Sequence, residues 1–361
     1  MTPAALADLC DRALDALGPG VDGAVTASSV QAALTRFANS RIHQNVADEG
    51  VSLTIKAIVD GATASASTRD VSPEAIARVA AAAVEAARLR PADPDWPGLA
   101  PPSDPTPVDH YDEATRDADP DTRAEAVAQF VSAGDGLEAA GFCSTSGGEY
   151  AFANTAGQRA TGRTSNAAID GIHRTGRADG SAGARSARLA DLDGATLGAI
   201  AATKARAADE ATDLEPGVYE VVLEPGCVAD MFTFLGFYGF SGKSVQDGTS
   251  FVHLGEQQFD PELSVWDDIT DPRAIGLGYD HEGTPKQRMD LIRAGETTGI
   301  VHDRRTAAKA GTQSTGHASP SEAFGPVAGN LFVGEGPNTR EQLIGAVERG
   351  LLVTDFWYTR I

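Results

Sequence analysis

Histidines are the residues of this chain with the most evident chemical potential, and four lie in its last third. They are His253, His281, His302 and His317. A zinc peptidase site needs two histidines on one helical face, with a glutamate beside the first as general base for zinc-bound water. His281 precedes Glu282, but Gly283 and Pro285 exclude a helix there. The pair is predicted to begin a loop. The four histidines stay metal-ligand candidates because they could still converge in space, and surface or hydrogen-bonded structural histidines are the alternative.

Small residues surround one of these histidines in the segment Ser314-Thr315-Gly316-His317-Ala318. A loop of this composition allows close approach of a peptide backbone or of another subunit. The stretch from Gly311 to Gly316 misses the GxSxG pattern of a nucleophile elbow by one residue. Ser314, Thr315 and His317 are therefore candidates for contact with a substrate or a partner, and an ordinary turn is the alternative.

Two other motifs predict no chemistry. Gly242-Lys243-Ser244 resembles the end of a phosphate-binding loop, but Phe237 stands where the leading glycine belongs. The glycines at 236, 239 and 242 are more typical of close packing. Cys143 has no basic or histidine neighbour that would lower its pKa, so an inert thiol is predicted.

The charge of the chain limits the classes of partner. Its 361 residues contain 51 acidic and 29 basic side chains, which gives a net charge of −22. Phosphates would be repelled, which argues against nucleic acid and anionic lipid as partners. Only five of the basic residues are lysines, and the acidic residues are dispersed along the chain. This composition is typical of an acidic surface adapted to high salt.

The cysteines and the hydropathy pattern indicate a cytoplasmic protein. The three cysteines lie far apart and form no CxxC pair, so neither a disulfide framework nor a zinc finger is predicted. Met1–Leu17 has no basic region before its apolar residues, and no run of eighteen apolar residues follows anywhere. Neither a signal peptide nor a membrane span is expected.

The length predicts two domains. Aromatic residues and glycines become dense after residues 213–217, which indicates domains over 1–212 and 213–361, and the element pattern predicts an α+β fold. Apolar spacing predicts a helix over residues 6–17, alternation predicts strands over 30–37 and 51–59, and Ser72-Pro73 predicts the start of a second helix. Residues 90–107 are predicted to be a loop or linker. Phe152-Ala153-Asn154 and Asp179-Gly180 echo Phe37-Ala38-Asn39 and Asp60-Gly61, which indicates a duplicated strand–strand–helix unit, about 1–90 and 120–210. The C-terminal domain is predicted to be β-rich, with a hairpin over 288–302 and a helix over 303–309.

The chain resembles the TldD/PmbA family of peptidase-associated proteins. The resemblance is carried by Phe37-x-Asn39-Ser40-Arg41-Ile42, by Gly278-Tyr279-Asp280-His281-Glu282-Gly283-Thr284-Pro285 through Arg288, by Ser314–Ala318, and by Glu348–Thr354. Counted from the strand Val221–Leu223 and Pro225, the family's zinc motif HExxxH falls on residues 233–238, where this chain reads Thr-Phe-Leu-Gly-Phe-Tyr. The chain therefore resembles the PmbA or TldE type of subunit, which lacks the motif.

The resemblance implies a non-metal subunit of a peptidase assembly that acts on peptides or unfolded proteins. No catalytic residue and no cofactor are then expected in this chain; zinc is expected on a homologous, metal-bearing partner, and Arg288 joins the contact candidates. Relatives continue with further strands beyond the segment matching 354–360, so the C-terminal domain is expected to be incomplete and to end in a free β edge. The alternatives are a metal-dependent peptidase in its own right and a non-hydrolytic protein that binds extended peptides.

Overall fold

The computed structural model describes residues 1–210 and 212–356, and its N-terminal part consists of two units with the same element order. Each unit is a helix, three antiparallel strands and a second helix. The first unit contains α1 (Pro3–Asp15), β1 (Asp22–Ala38), β2 (Arg41–Val59), β3 (Ala62–Thr68) and α2 (Pro73–Arg88). After the one-turn helix α3 (Glu113–Arg116), the second contains α4 (Pro120–Ser132), β4 (Glu138–Asn154), β5 (Arg159–Arg174), β6 (Asp179–Ser186) and α5 (Gly194–Ala208).

The six strands form one antiparallel sheet in the order β3-β2-β1-β4-β5-β6. The first strands of the two units pair at its centre, from Ala24 opposite Asn154 to Phe37 opposite Gly141. The duplicated strand–strand–helix arrangement predicted from the sequence is confirmed. Each unit also contains a leading helix, of which α1 is predicted by its apolar spacing. The third strands, β3 and β6, consist largely of small residues, which give a weak periodic signal.

The two faces of this sheet have different neighbours. Val25, Ala27, Leu53 and Ile55 have no exposed surface and pack under α1 and α2. A fully buried aliphatic side chain of this size contributes roughly 1.5–3 kcal/mol. The residues between them in the strands, such as Thr26 and Thr54, point to the opposite face, because side chains alternate along a strand. That second face is rich in serine and threonine, and it looks toward the C-terminal region.

Local signals fix the ends of these elements. The Ser72 side chain accepts a hydrogen bond from the N–H of Ala75, and Pro73 occupies the first helical position of α2, as predicted. Asp60 and Gly61 both have positive φ, 51° and 79°, which makes the tight turn between β2 and β3. The sequence predicts this turn from Asp-Gly after an alternating strand.

The C-terminal part has shorter elements. They are β7 (Glu220–Leu223), α6 (Pro225–Tyr238), α7 (Gly242–Gln246), β8 (Val265–Asp267), β9 (Met289–Arg293), β10 (Glu296–Thr297), α8 (Arg304–Ala310), β11 (Leu331–Val333), α9 (Arg340–Ala346) and β12 (Gly350–Val353). Four strands form a sheet in the order β10-β9-β8-β11, and β12 pairs with β7 in parallel. With the N-terminal sheet, this gives the α+β class that the sequence predicts.

The predicted hairpin and the short helix after it are both present. Ala294 and Gly295 form the turn between β9 and β10, and Asp303 caps α8, which ends at Gly311 with a left-handed φ of 67°. The expected β edge after Thr354 concerns residues 357–361, which lie outside the described residues. In the described ranges, no helix is long and apolar enough to cross a membrane.

The predicted linker connects the two parts through hydrogen bonds. No helix or strand lies between α2 and α3. The N–H of Thr106 donates to the carbonyl of Gly278 (3.0 Å), and the Gln158 amide donates to the carbonyls of Ser103 (3.0 Å) and Gly283 (2.5 Å). These contacts hold the serine- and threonine-rich face of the sheet against the C-terminal loops. The boundary predicted near residue 212 falls in the stretch between α5 and β7.

Candidate functional site

A cavity of about 790 Å³ lies where the N-terminal sheet meets the C-terminal part. One wall consists of hydroxyl side chains from three neighbouring strands: Thr26, Thr54, Thr63, Ser65 and Ser67. The opposite wall is formed by His281, Glu282 and Asp303, and by the loop from Ala318 to Gly325. A cavity between two domains that contains several charged groups is the usual place for a binding site.

Asp280 organises the loop behind this wall. Its carboxylate accepts hydrogen bonds from the N–H groups of Glu282, Thr284 and Ala318, each at 2.9 Å. Burial raises the pKa of Asp280 above its usual value, and the three donors offset part of that effect. Since these donors come from two loops, Asp280 holds Glu282 and Ala318 in place at the cavity surface.

Glu282 is the carboxyl group with the most perturbed environment in the cavity. Burial, followed by the nearby charge of Asp280, raises its pKa to about 7, and Asp303 adds to the effect. Two groups oppose this increase and lower the pKa of Glu282. They are the N–H of Arg304, which donates to the carboxyl group at 2.9 Å, and the positive charge of Lys56. Lys56 is itself paired with Glu322, across the cavity. Glu282 is therefore a carboxyl group that changes charge near neutral pH.

Replacing Glu282 with glutamine tests this environment. In the folded protein the pKa lies above the unfolded value, so the wild type loses stability as pH rises from about 4.5 to about 7. Glu282→Gln is expected to raise the free energy of unfolding by roughly 1–3 kcal/mol at pH 8 and to change it little at pH 4. Denaturant unfolding at both pH values measures this difference.

The control for that measurement is Glu348→Gln, which removes the same charge from an exposed position. It is needed because any loss of negative charge relieves repulsion in a chain of net charge −22. The idea is wrong if Glu282→Gln raises the free energy of unfolding only as much as Glu348→Gln does, or by the same amount at pH 4 and pH 8. Either result would show that Glu282 has an ordinary carboxyl pKa.

The residues predicted to contact a substrate or partner lie beside the cavity. The His317 ring is 3.1 Å from the Asp267 carboxylate and 2.9 Å from the Thr315 hydroxyl, and both His317 and Thr315 are buried. Ser314 is half-buried and donates to the carbonyl of His302 (3.2 Å). The exposed Arg288 pairs with Asp268 (3.2 Å). Direct contact stays a prediction for all four residues, and the burial of His317 and Thr315 favours a positioning role through Ala318, which lines the cavity.

The metal-ligand candidates do not assemble into one site. His253 is exposed, and His281 faces the cavity. His302 is buried against the Thr306 hydroxyl, 3.1 Å away, and is linked to His317 only through Thr315. Across residues 1–210 and 212–356, no group of three or more His, Cys, Asp or Glu side chains is placed to hold a metal. The hypothesis of a metal-dependent peptidase requires histidines that converge on one point, and the described residues show no such cluster.

The positions of the zinc motif lie on α6, and their side chains do not fit a zinc ion. The Thr233 hydroxyl donates to the carbonyl of Ala229 in its own helix (2.8 Å). Phe234 has no donor atom for a metal, and Tyr238, about half exposed at 49%, has only a phenol. Zinc in peptidases takes imidazole, carboxylate or thiolate ligands. The three substitutions therefore replace the whole ligand and base set of the motif.

Aromatic and aliphatic side chains take the place of metal ligands on α6. Phe237 contacts Tyr238 and Phe324, with ring centroids 6.3 Å apart in each pair. A groove of about 570 Å³ with a mainly apolar surface runs beside the helix, between Phe232, Phe237 and Leu331. Only Cys227 and Gly236 of this helix are buried. Because α6 is apolar but mostly not buried, it presents an exposed apolar surface of the kind that forms protein–protein interfaces.

The other two motifs are structural, as the sequence predicts. Cys143 is fully buried, and burial raises its pKa to about 11, so it is not a thiolate at neutral pH. Gly242 begins a single turn of helix and lies so close to His302 that a Cβ atom would come within 2.5 Å of the ring. Lys243 pairs with Asp247. Close packing explains this glycine.

The interdomain cavity was the part of the site that the sequence did not predict. Lys56, Glu282 and Glu322 meet there although they are far apart in the chain. One signal was available: Lys56 is the one lysine of the N-terminal unit, and it lies in an alternating strand on the face of Thr54. Its partner across the cavity was not visible from the sequence.

Comparison with known proteins identifies the family. A family model described as the PmbA/TldA metallopeptidase C-terminal domain matches residues 216–360, and one described as PmbA/TldA metallopeptidase domain 1 matches residues 25–87. A metalloprotease from Synechocystis is 30% identical over 141 residues, which cover 37% of this chain and 30% of that protein. An uncharacterised protein from Methanocaldococcus jannaschii is 31% identical over 102 residues, covering 27% and 24%. The matched segments thus span less than a third of either relative.

Solved structures show the same fold over almost the whole chain. TldE from Thermococcus kodakarensis superposes with a TM-score of 0.84 at 20% identity, covering 98% of this chain and 82% of that one. A Thermotoga maritima protein, described as a proposed modulator of a DNA gyrase, gives a TM-score of 0.85 at 19% identity, covering 96% and 82%. Two models of one family together match more than half of the chain, residues 25–87 and 216–360, so the chain belongs to the PmbA/TldD family of metallopeptidase-related proteins.

Proposed function

We propose that this chain is the non-metal subunit of a cytoplasmic peptidase assembly, in which a homologous subunit carries zinc and cuts peptides or unfolded proteins. The observation that carries the proposal is the substituted motif on α6. Thr233, Phe234 and Tyr238 stand where the family's metal-bearing members have two histidines and a glutamate. The fold shared with TldE from Thermococcus kodakarensis supports the same assignment.

The surface of α6 supports a role in assembly. The helix spans 14 residues, and Asp230 is its one charged side chain. In a chain with 22% charged residues, an exposed helix with one charge is unusual. Met231 and Tyr238 are 44% and 49% exposed. Large apolar side chains on an otherwise strongly charged surface mark protein contacts.

A cytoplasmic location agrees with the state of the cysteines. Cys10, Cys143 and Cys227 are all free and buried. Free thiols persist in a reducing compartment. The dispersed acidic surface further suggests that the assembly works at high ionic strength, where repulsion between two acidic subunits is screened.

Light scattering in high salt tests the subunit proposal. The chain is measured alone and mixed with a metal-bearing homologue from the same source, and zinc is quantified in each peak. We expect a mixed complex that contains zinc, no zinc on this chain alone, and peptide cleavage that requires the complex. Stoichiometric zinc with full peptidase activity on the purified chain alone would overturn the proposal.

A second candidate function is favoured by the interdomain cavity. A protein that binds extended peptides without cutting them would use the hydroxyl-rich sheet face and the carboxyl groups opposite it. It predicts peptide affinity that survives a chelator, and no cleavage when the metal-bearing homologue is added. Cleavage by the mixed complex would exclude this candidate.

A further inference from the structure

β3 lies at one edge of the six-stranded sheet, and it has few of the features that usually prevent an edge strand from pairing with another strand. Its sequence from Ala62 to Thr68 contains only alanine, serine and threonine. Edge strands usually have lysine, proline, a bulge or a covering segment, because their free backbone groups attract further strands. The opposite edge, β6, follows that rule: it contains Asp179 and Arg185, and Ser181 donates to Asp355 (3.2 Å).

The orientation of Thr63 shows which backbone groups of β3 face outward. Its carbonyl accepts a hydrogen bond from the Arg90 guanidinium (3.1 Å) and so points away from β2. In an antiparallel pair, alternate residues direct both their N–H and C=O groups to the same side. The backbone groups of Ser65 and Ser67 therefore lie on the outer edge. Both residues are exposed, and within the described ranges their outward backbone groups have no hydrogen-bond partner in the chain.

This edge opens into the cavity described above. Thr63, Ser65 and Ser67 line it, and the loop from Ala318 to Gly325 closes the far side. The five residues from Thr63 to Ser67 extend over about 16 Å. A partly open space of about 790 Å³ beside such an edge accommodates a short extended segment.

The charges in the cavity favour one class of side chain. Its two cations are engaged, Lys56 with Glu322 and Arg90 with the Thr63 carbonyl. The carboxyl groups of Glu282 and Asp303 accept hydrogen bonds only from the N–H groups of Arg304 and Thr306 and from the Thr306 hydroxyl, within the described chain. A basic side chain that enters the cavity would provide the missing positive charge.

We propose that the outer edge of β3 binds an extended peptide segment of about five residues as a seventh strand, with a basic side chain of that peptide directed toward Glu282 and Asp303. The proposal rests on the proposed peptidase function and names a peptide-binding surface on the non-metal subunit itself. Because the pKa of Glu282 lies near 7, with Asp280, Asp303 and Lys56 as its charged neighbours, the preference for a basic residue increases as pH rises from 6 to 8.

The test is binding of a fluorescent heptapeptide of alternating valine and threonine with a central lysine, measured by anisotropy on this chain alone. Ser65→Pro removes the outward N–H and leaves the pairing of β3 with β2 intact, while Ser65→Ala keeps that N–H. We expect Ser65→Pro to weaken binding roughly tenfold and Ser65→Ala to leave it unchanged. The two variants carry the same charge, so attraction of a cationic peptide to an acidic protein cannot produce the difference.

Modified peptides test the proposal without any protein variant. A peptide with N-methyl groups on alternate backbone nitrogens cannot form the new strand, and roughly tenfold weaker binding is expected. A norleucine peptide should bind more weakly than the lysine peptide, by a larger factor at pH 8 than at pH 6. Equal binding of the N-methylated peptide, or no binding of the lysine peptide, would overturn the inference. Since no partner and no cleavage enter these measurements, failure of the subunit proposal would appear separately, in the light-scattering experiment.

Discussion

Replacing His317 with alanine is expected to lower the free energy of unfolding by about 3–5 kcal/mol. The His317 side chain is fully buried and lies 3.1 Å from an Asp267 carboxylate that is 1% exposed. Removing the imidazole leaves that carboxylate with one hydrogen-bond donor among the described residues, the N–H of Asn330 (2.7 Å). The Thr315 hydroxyl also loses its ring partner. A buried charge that loses its partner has a large destabilising effect.

The pH dependence of this variant has a defined sign. In the wild type, burial raises the pKa of Asp267, but hydrogen bonding and the charge of His317, with the Asn330 N–H, outweigh burial and lower it. The carboxylate thus contributes stability that is present above its unfolded pKa of about 4 and is lost as pH falls through the lower folded pKa. Without His317, burial dominates and the pKa shifts upward. The stability difference between wild type and variant should therefore grow from pH 4 to pH 8.

Denaturant unfolding of His317→Ala, with His253→Ala as an exposed control, measures both effects. Adding Asp267→Asn to His317→Ala should recover part of the stability, because it removes the unpaired charge. The measurement also decides between two roles for His317. If His317→Ala unfolds like the wild type but the assembly binds peptide less well, His317 is a direct contact and the positioning role is wrong.

Local structure was predictable from the sequence because its signals are local. Ser72-Pro73 begins α2, Asp60-Gly61 turns β2 into β3, and Gly311 ends α8. Each of these depends on a preferred φ or on one capping hydrogen bond within a few residues. The absence of a zinc motif at residues 233–238 was visible only through the family resemblance, which locates the motif by counting from the strand Val221–Leu223. The duplication was detectable because Phe-Ala-Asn recurs at the end of the first strand of each unit, although Asp179-Gly180 begins β6 and does not form a turn as Asp60-Gly61 does.

The candidate site was less predictable because its partners are distant in sequence. His317 in a run of small residues suggests an exposed loop, yet Asp267, 50 residues earlier, draws it into the interior. Lys56 and Glu322 meet across the cavity over a separation of 266 residues. The pKa of Glu282 depends on its neighbour Asp280, but also on burial and on Asp303 at the start of α8, and these last two arise only when α8 packs against the loop. Spacing along the chain contains no information on such encounters.

Replacing Gly278 with alanine is expected to destabilise the junction between the two parts of the chain by about 2–4 kcal/mol. A Cβ atom at this position would lie 1.8 Å from the carbonyl oxygen of Thr106. Backbone atoms cannot rotate away as the end of a side chain can, so the linker must shift. The carbonyl of Gly278 accepts hydrogen bonds from the N–H groups of Thr106 and Lys286, each at 3.0 Å. A shift of the linker would break the first of these.

Gly278→Ala should increase hydrogen exchange most at the junction between the two parts of the chain. That pattern distinguishes local opening of the junction from a general loss of stability. Hydrogen exchange at residues 103–110 is expected to increase in Gly278→Ala before exchange in the core strands β1 and β4 does, because opening of the junction exposes the linker first. The matched control is Gly329→Ala, where an added Cβ would meet nothing within 4 Å. Equal stability of the two variants would mean that the linker accommodates the methyl group.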